Sequence, residues 1–184
     1  MPNRMPPVSV ATRAPARPHT EARPDPDAGP GLRPGAGQDP VTAAARRRAV
    51  RGGDRQTDTA HLLHSLLDLD PDVRSVLEEG AWRVDRLLGY LVQRTIGYGL
   101  RWRRTAEGSA VAPRGRPGGE PLLSPVAAAA VESAAARARA RGADRADGRD
   151  LLAALAADRE CRAAEVLRRS GVDTELLVRR LGGR

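Results

Sequence analysis

Two histidines and one cysteine are side chains of this sequence that could bind a metal or supply a nucleophile. His61 and His64 are three residues apart, a spacing that puts two imidazoles on one face of a helix and could begin a metal site. No third ligand has a suitable spacing, because His19 lies in the proline-rich start of the chain and Cys161 lies in its second half. We therefore predict no metal and no other cofactor, and we interpret His61 as a structural residue at a helix start.

The lone cysteine, Cys161, excludes an intramolecular disulfide and a multi-cysteine zinc site. A thiol nucleophile would also need a base and an orienting group beside it. The pattern around Cys161 instead indicates a small thiol that faces the core or a helix edge. Asp68, Asp70 and Asp72 alternate as in a calcium loop, but the glycine and distal glutamate of such a loop are absent, so this run predicts a helix end and the cap of the next helix.

The basic residues are unusual, because all 31 of them are arginine and the chain has no lysine. A chain without lysine cannot hold the phosphate-binding lysine of a Walker A motif, a Schiff-base lysine or the lysine of a kinase. The sequence also shows no Ser-His-Asp set and no paired carboxylates that would support a hydrolase. We predict that the protein is not an enzyme.

Residues 98–104 combine stacking faces with guanidinium groups, most clearly at Arg101 and Trp102, and such alternation could contact nucleic acid or an acidic partner. The net charge of +8 points the same way. This charge is spread as +1, +4 and +3 over residues 1–40, 41–121 and 122–184, with acids interleaved throughout, which is typical of a solvated helical surface. A basic nucleic-acid-associated protein therefore stays the alternative function, and nucleic acid is not the expected partner.

The elements that would position these residues are predicted to be helices. Alanine and leucine dominate the apolar residues, whereas strand-forming Phe and Ile number none and one. Ten of the fifteen prolines lie in residues 1–40, so we predict a disordered tail over 1–38. A second Gly/Pro/Arg-rich stretch, 97–121, is predicted to link two helical repeats, 39–96 and 122–184, within one domain over 39–184.

The two repeats match each other at a spacing of 89 to 90 residues. Each opens with a capping residue and a proline, Asp39-Pro40 and Ser124-Pro125. Each continues with a capped leucine-rich helix, Asp58-Thr-Ala-His61-Leu-Leu-His-Ser-Leu-Leu67 and Asp147-Gly-Arg-Asp150-Leu-Leu-Ala-Ala-Leu-Ala156. We predict an all-α fold of two four-helix repeats related by a pseudo-twofold axis, because neither repeat can cover its leucine face alone.

These series, with Val76-Leu77-Glu-Glu-Gly80 and Glu165-Val-Leu-Arg-Arg-Ser-Gly-Val-Asp173, resemble the two repeats of the Clp N-terminal (Clp R) domain. The resemblance implies an eight-helix domain that does no chemistry and captures substrates and adaptors for the Clp unfoldase and its protease. The chain stops at Arg184 without an ATPase ring, so the resemblance implies a free-standing module, of a kind found in actinobacteria, that could also bind the Clp ATPase and modulate proteolysis.

The sequence departs from the family where some members carry glutamates that bind phosphoarginine. Ala60 and Arg149 occupy these positions, so we expect phosphoarginine recognition to be lost. The capping threonines are replaced by Asp58 and Asp147, which are competent caps. The partner-binding candidates that follow from the resemblance and the linker are Asp58, Ala60, His61, Asp147, Arg149, Asp150, Arg101 and Trp102.

The predicted location is the cytoplasm. No apolar run reaches the roughly 18–20 residues that a membrane-spanning helix needs. Prolines interrupt the N-terminus, which has no apolar segment of the secretory type. We therefore expect no membrane partner.

Overall fold

A computed structural model describes residues 39–95, 107 and 121–183, and these residues form two groups of four helices. The first repeat contains α1 (Pro40–Arg51), α2 (Thr59–Leu69), α3 (Pro71–Glu79) and α4 (Val84–Thr95). The second repeat contains α5 (Pro125–Ala140), α6 (Gly148–Ala157), α7 (Arg162–Arg169) and α8 (Thr174–Gly182). The predicted all-α, two-repeat fold is confirmed.

The opening helices begin where the sequence places them. The Asp39 carboxylate accepts the N–H groups of Val41 and Thr42, and the Ser124 hydroxyl accepts the N–H of Ala127 at 3.0 Å. Pro40 and Pro125 occupy the first helical position, where a missing N–H costs nothing because that group would have no partner inside the helix. The caps thus satisfy donors that a helix start otherwise leaves open.

One continuous apolar core runs through both repeats, and the leucines of α2 and α6 lie at its centre. The leucines of these two helices that have 0% exposure are Leu62, Leu63, Leu66, Leu67, Leu151, Leu152 and Leu155. At about 1.5–3 kcal/mol for each buried leucine, separation of the repeats would be strongly unfavourable. The predicted docking of the repeats through their leucine faces is confirmed.

The starts of the two central helices cross over between the repeats. The Thr59 hydroxyl at the start of α2 accepts the N–H of Ala163 in α7 at 3.0 Å. At the start of α6, Gly148 lies so close to α3 that an added Cβ would come 1.9 Å from Asp70 Oδ2 and 2.9 Å from Val73 Cγ2. Each second helix therefore meets the third helix of the other repeat, which is the pseudo-twofold relation expected from the internal repeat.

A short parallel pairing that the sequence did not predict also joins the repeats. Strands β1 (Gln56–Thr57) and β2 (Leu122–Leu123) pair in the register Gln56↔Leu122 and Thr57↔Leu123. The N–H of Ser124 extends this ladder by donating to the carbonyl of Thr57 at 2.8 Å. The pairing places the segments that precede α2 and α5 side by side.

Two side-chain contacts join the repeats at their periphery. The guanidinium of Arg180 in α8 lies 5.6 Å from the ring centroid of Trp82, a cation–π distance. Arg169 in α7 donates to the Tyr90 hydroxyl in α4 at 2.8 Å. Among the helices that the structure describes, none is long and apolar enough to cross a bilayer.

The contact between Gly148 and Asp70 gives a stability prediction. Asp70 caps α3 by accepting the N–H groups of Asp72 and Val73, so its carboxylate cannot turn away from a new side chain without losing the cap. We expect Gly148→Ala to lower the free energy of unfolding by about 1–3 kcal/mol, measured by chemical denaturation.

Gly89→Ala is the matched control, because Gly89 lies within α4 and a Cβ there meets nothing within 4 Å. We expect this control to be neutral or to stabilise the protein by about 0.5–1 kcal/mol, since alanine favours a helix. Equal stability of the Gly148→Ala protein and the unsubstituted protein would contradict the close approach of α6 to α3.

Candidate functional site

The candidate residues of the first repeat, Asp58, Ala60 and His61, lie in the first turn of α2 or at its cap, and all three are buried. Asp58 Oδ1 accepts the N–H of His61 at 3.0 Å, and His61 Nδ1 accepts the N–H of Asp58 at 3.2 Å. His61 Nε2 lies 3.0 Å from Asp54 Oδ2. His61 thus acts as the second member of a capping box, in keeping with its interpretation as a structural residue.

The corresponding residues of the second repeat form the same kind of cap, in which Asp147 is exposed and Asp150 is buried. Asp147 and Asp150 each accept the other's N–H, at 3.0 and 3.1 Å. Arg141 from the end of α5 donates to Asp147 Oδ2 at 2.9 Å and to Asp150 Oδ2 at 2.5 Å. The hydrogen bond to Asp150, together with the charge of Asp147, raises the pKa of Arg141 above its ordinary value.

Arg149 lies between these two acids in sequence, but its side chain makes no hydrogen bond or ion pair with any residue that the structure describes. Its side chain lines two adjoining depressions of about 340 and 300 Å³, which together we call the Arg149 groove. The groove is lined chiefly by Val76 and Glu79 of α3, Arg137 of α5 and Arg141 directly after it, Asp147, Arg149 and Asp150 around the start of α6, and Arg180 and Leu181 of α8. Both repeats therefore contribute to this surface.

The sequence places Arg101 and Trp102 in the predicted linker, and both lie outside the described residues. The eight candidates consequently fall into three groups. Asp58, Ala60 and His61 are buried in the first repeat, whereas Asp147, Arg149 and Asp150 border the groove in the second.

The sequence did not reveal the role of Glu107, a residue of the predicted linker that the structure places in the interior with 4% exposure. Its Oε1 accepts the N–H of Thr59 at 2.9 Å and the hydroxyl of Ser124 at 2.9 Å. Its Oε2 accepts the hydroxyl of Thr59 at 2.6 Å and the N–H of Arg162 at 3.0 Å. One carboxylate therefore joins the starts of α2, α5 and α7.

A signal for Glu107 exists in the sequence, since it is the lone acid between Asp85 and Glu120. An acid isolated in a basic stretch can serve as the partner of several donors. Arg162 completes the same junction by donating to Asp58 Oδ2 at 2.5 Å, which ties the α7 start to the α2 cap.

Cys161 caps α7 and has 1% exposure. Its Sγ accepts the N–H of Ala164 at 3.3 Å and donates to the carbonyl of Leu155 at 3.2 Å. Burial raises the pKa of the Cys161 thiol to about 11, so the thiol is un-ionised at neutral pH. This geometry agrees with a packed thiol and does not provide a thiolate nucleophile. Within residues 39–95, 107 and 121–183, no three His, Cys, Asp or Glu side chains come together as a metal site would require.

Comparison with solved structures relates this arrangement to known domains. The Hsp104 N-terminal domain from Candida albicans is similar with a TM-score of 0.60 and 11% identity, over 77% of this chain and 84% of that chain. The N-terminal domain of the caseinolytic protease associated chaperone ClpD from Arabidopsis thaliana is similar with a TM-score of 0.57 and 19% identity, over 77% of this chain and 87% of that chain. A structure from preliminary structural investigations of a malarial protein secretion system is similar with a TM-score of 0.56 and 16% identity, over 77% of this chain and 86% of that chain.

At these identities the comparisons establish the fold, which is that of the Clp and Hsp104 N-terminal domains. The resemblance inferred from the repeat motifs is confirmed at this level. No protein-family model matches the sequence, and the comparison with curated proteins gives no match.

The position of Glu107 gives a second stability prediction. Glu107→Ala would leave buried donors of Thr59, Ser124 and Arg162 without their acceptor, so we expect the free energy of unfolding to fall by about 2–5 kcal/mol in chemical denaturation. Glu132→Ala, at an exposed acid of α5, is the control and should change stability by no more than about 0.5 kcal/mol. Equal losses in the free energy of unfolding for the two substitutions would contradict the role of Glu107 in joining the helix starts.

The Cys161 environment predicts the reactivity of the thiol. A pKa raised from 9.0 to about 11 lowers the thiolate fraction about 100-fold near neutral pH, and burial slows access further. We expect a disulfide reagent to modify the native protein at least about 100-fold more slowly than the denatured chain, followed by absorbance. Similar rates in both states would show that the thiol is not held as described.

Proposed function

We propose that this chain is a non-catalytic protein-recognition module that binds protein substrates or adaptors in the cytoplasm, with the Clp ATPase as a further candidate partner. The observation that carries the proposal is the all-helical fold shared with the N-terminal domains of ClpD and Hsp104. Clp N-terminal domains are non-catalytic modules that bind substrates and adaptors. Recognition, rather than chemistry, is therefore the function that this fold favours.

The described polar residues support the same proposal. The histidine, cysteine and glutamate that could have formed a reactive set, His61, Cys161 and Glu107, each cap or join helix starts. The Arg149 groove, by contrast, is open to solvent and is built from both repeats. A surface that exists only when the repeats are docked is suited to selective binding of another protein.

Affinity capture tests this function directly. The full chain, tagged at its N-terminus, is incubated with an actinobacterial lysate, and bound proteins are identified by mass spectrometry. We expect enrichment of Clp components or of Clp substrates, and binding of the purified partner to the purified chain in a titration.

The control for this capture is a variant that keeps the fold but alters the groove. Arg149→Glu should reduce enrichment, whereas Arg139→Glu, at an exposed arginine of α5 outside the groove, should not. Enrichment of neither Clp components nor their substrates by the unsubstituted chain would overturn the proposal.

A further inference from the structure

We infer that the Arg149 groove binds an acidic segment of a partner polypeptide, in which an Asp or Glu carboxylate pairs with Arg149 and an adjacent apolar side chain contacts Leu181. The inference rests on the proposed function and names the class of ligand that this surface takes.

The guanidinium of Arg149 makes no ion pair with any residue that the structure describes, whereas Arg141 in the same groove pairs with Asp147 and Asp150. Its sequence neighbours, Asp147 and Asp150, are already engaged by Arg141 and by the capping box at the α6 start. An arginine fork presents parallel N–H donors that match a carboxylate in a bidentate pair. An external carboxylate can therefore supply the acceptor that this part of the fold does not.

The remaining charges of the groove also favour an anion. It contains four arginines against three acids, and two of those acids pair with Arg141. Glu79 is then the acid that lines the same depression as Arg149 and Arg180. A segment with one carboxylate would balance this local excess of one positive charge.

The positions of two of these arginines are constrained by neighbouring groups. Arg180 is held over the Trp82 ring at 5.6 Å. Arg137 donates from one terminal nitrogen to the carbonyl of Leu181 at 3.4 Å, and its buried Nε has no partner among the described residues. Because these side chains have lost part of their freedom before a ligand arrives, less entropy is lost on binding.

The apolar wall and the acids of the groove distinguish an acidic peptide from a nucleic acid. Leu181 and Val76 offer contacts that suit an apolar side chain next to a carboxylate. Asp147, Asp150 and Glu79 limit how many negative charges a ligand can bring to the groove, whereas nucleic-acid affinity depends on many successive phosphate contacts. The groove therefore fits a short acidic–apolar peptide segment.

The repeat offers this site once in the part of the chain that the structure describes. Ala60 occupies the position in the α2 start that corresponds to Arg149 in the α6 start, and its side chain has 1% exposure. A buried methyl group cannot bind a carboxylate. We therefore expect one peptide for each chain.

Fluorescence anisotropy with a labelled probe tests the inference on the full chain. The probe is a short peptide that alternates Asp or Glu with Leu, and its partner is the same peptide with Arg in place of the acids. We expect saturable one-to-one binding of the acidic peptide, weakened by salt, and no comparable binding of the Arg peptide. Equal binding of both peptides would overturn the inference.

Three variants identify the groove as the binding surface. Arg149→Glu should weaken binding at least about tenfold, and Arg149→Lys should weaken it less because the charge is kept but the bidentate fork is lost. Arg139→Glu makes the same charge change outside the groove and should leave binding unchanged. Circular dichroism confirms that each variant is folded. If Arg139→Glu weakened peptide binding as much as Arg149→Glu, the effect would come from net charge alone. That result would overturn the inference.

Two further outcomes separate this inference from the proposed function. A single-stranded oligonucleotide that displaces the acidic peptide and binds more tightly would overturn the choice of a peptide ligand. In another outcome, the unsubstituted chain binds no acidic peptide, yet Arg149→Glu still captures Clp components or substrates. That result would overturn this inference and leave the proposed function standing. Failure of capture by the unsubstituted chain would overturn the proposed function itself.

Discussion

Mutual burial of the leucine faces of α2 and α6 is the interaction on which the rest of this structure depends. The core-facing leucines of both helices reach 0% exposure only because they share one core. Water would reach both faces if the repeats separated, and the hydrophobic effect would oppose that exposure with several leucines from each side. Docking in this manner brings the start of each central helix against the third helix of the other repeat.

The helix starts that meet at these crossings carry N–H groups without partners inside the helix, so the fold must supply acceptors for them. The two junctions meet this requirement in different ways. At the α2–α7 junction, the Glu107 carboxylate accepts four hydrogen bonds. At the α6–α3 junction, the absence of a side chain at Gly148 lets the Asp70 cap approach α6 directly. The pseudo-twofold fold therefore has two chemically distinct junctions.

The two junctions also differ in what the first turns of their central helices expose. The first turn of α2 presents Ala60, which is buried, and its polar neighbours are used in caps and ion pairs. The first turn of α6 presents Arg149 to an open groove whose other wall comes from α3 and α8. The recognition surface that we propose therefore lies at the start of α6, and an arginine rather than an acid occupies the position equivalent to Ala60.

The sequence by itself determined the features that depend on residues within a few helical turns. The four-helix repeats, the caps at Asp39, Ser124, Asp58 and Asp147, and the leucine faces follow from capping chemistry and from a 3.6-residue period, which local residues specify. It also identified Arg149 as a departure from a known pattern. Only the tertiary structure decided that Glu107 is buried, that β1 pairs with β2, and that Ala60 is covered while Arg149 is not. These features depend on which distant segments meet when the repeats dock, and no local pattern encodes those contacts.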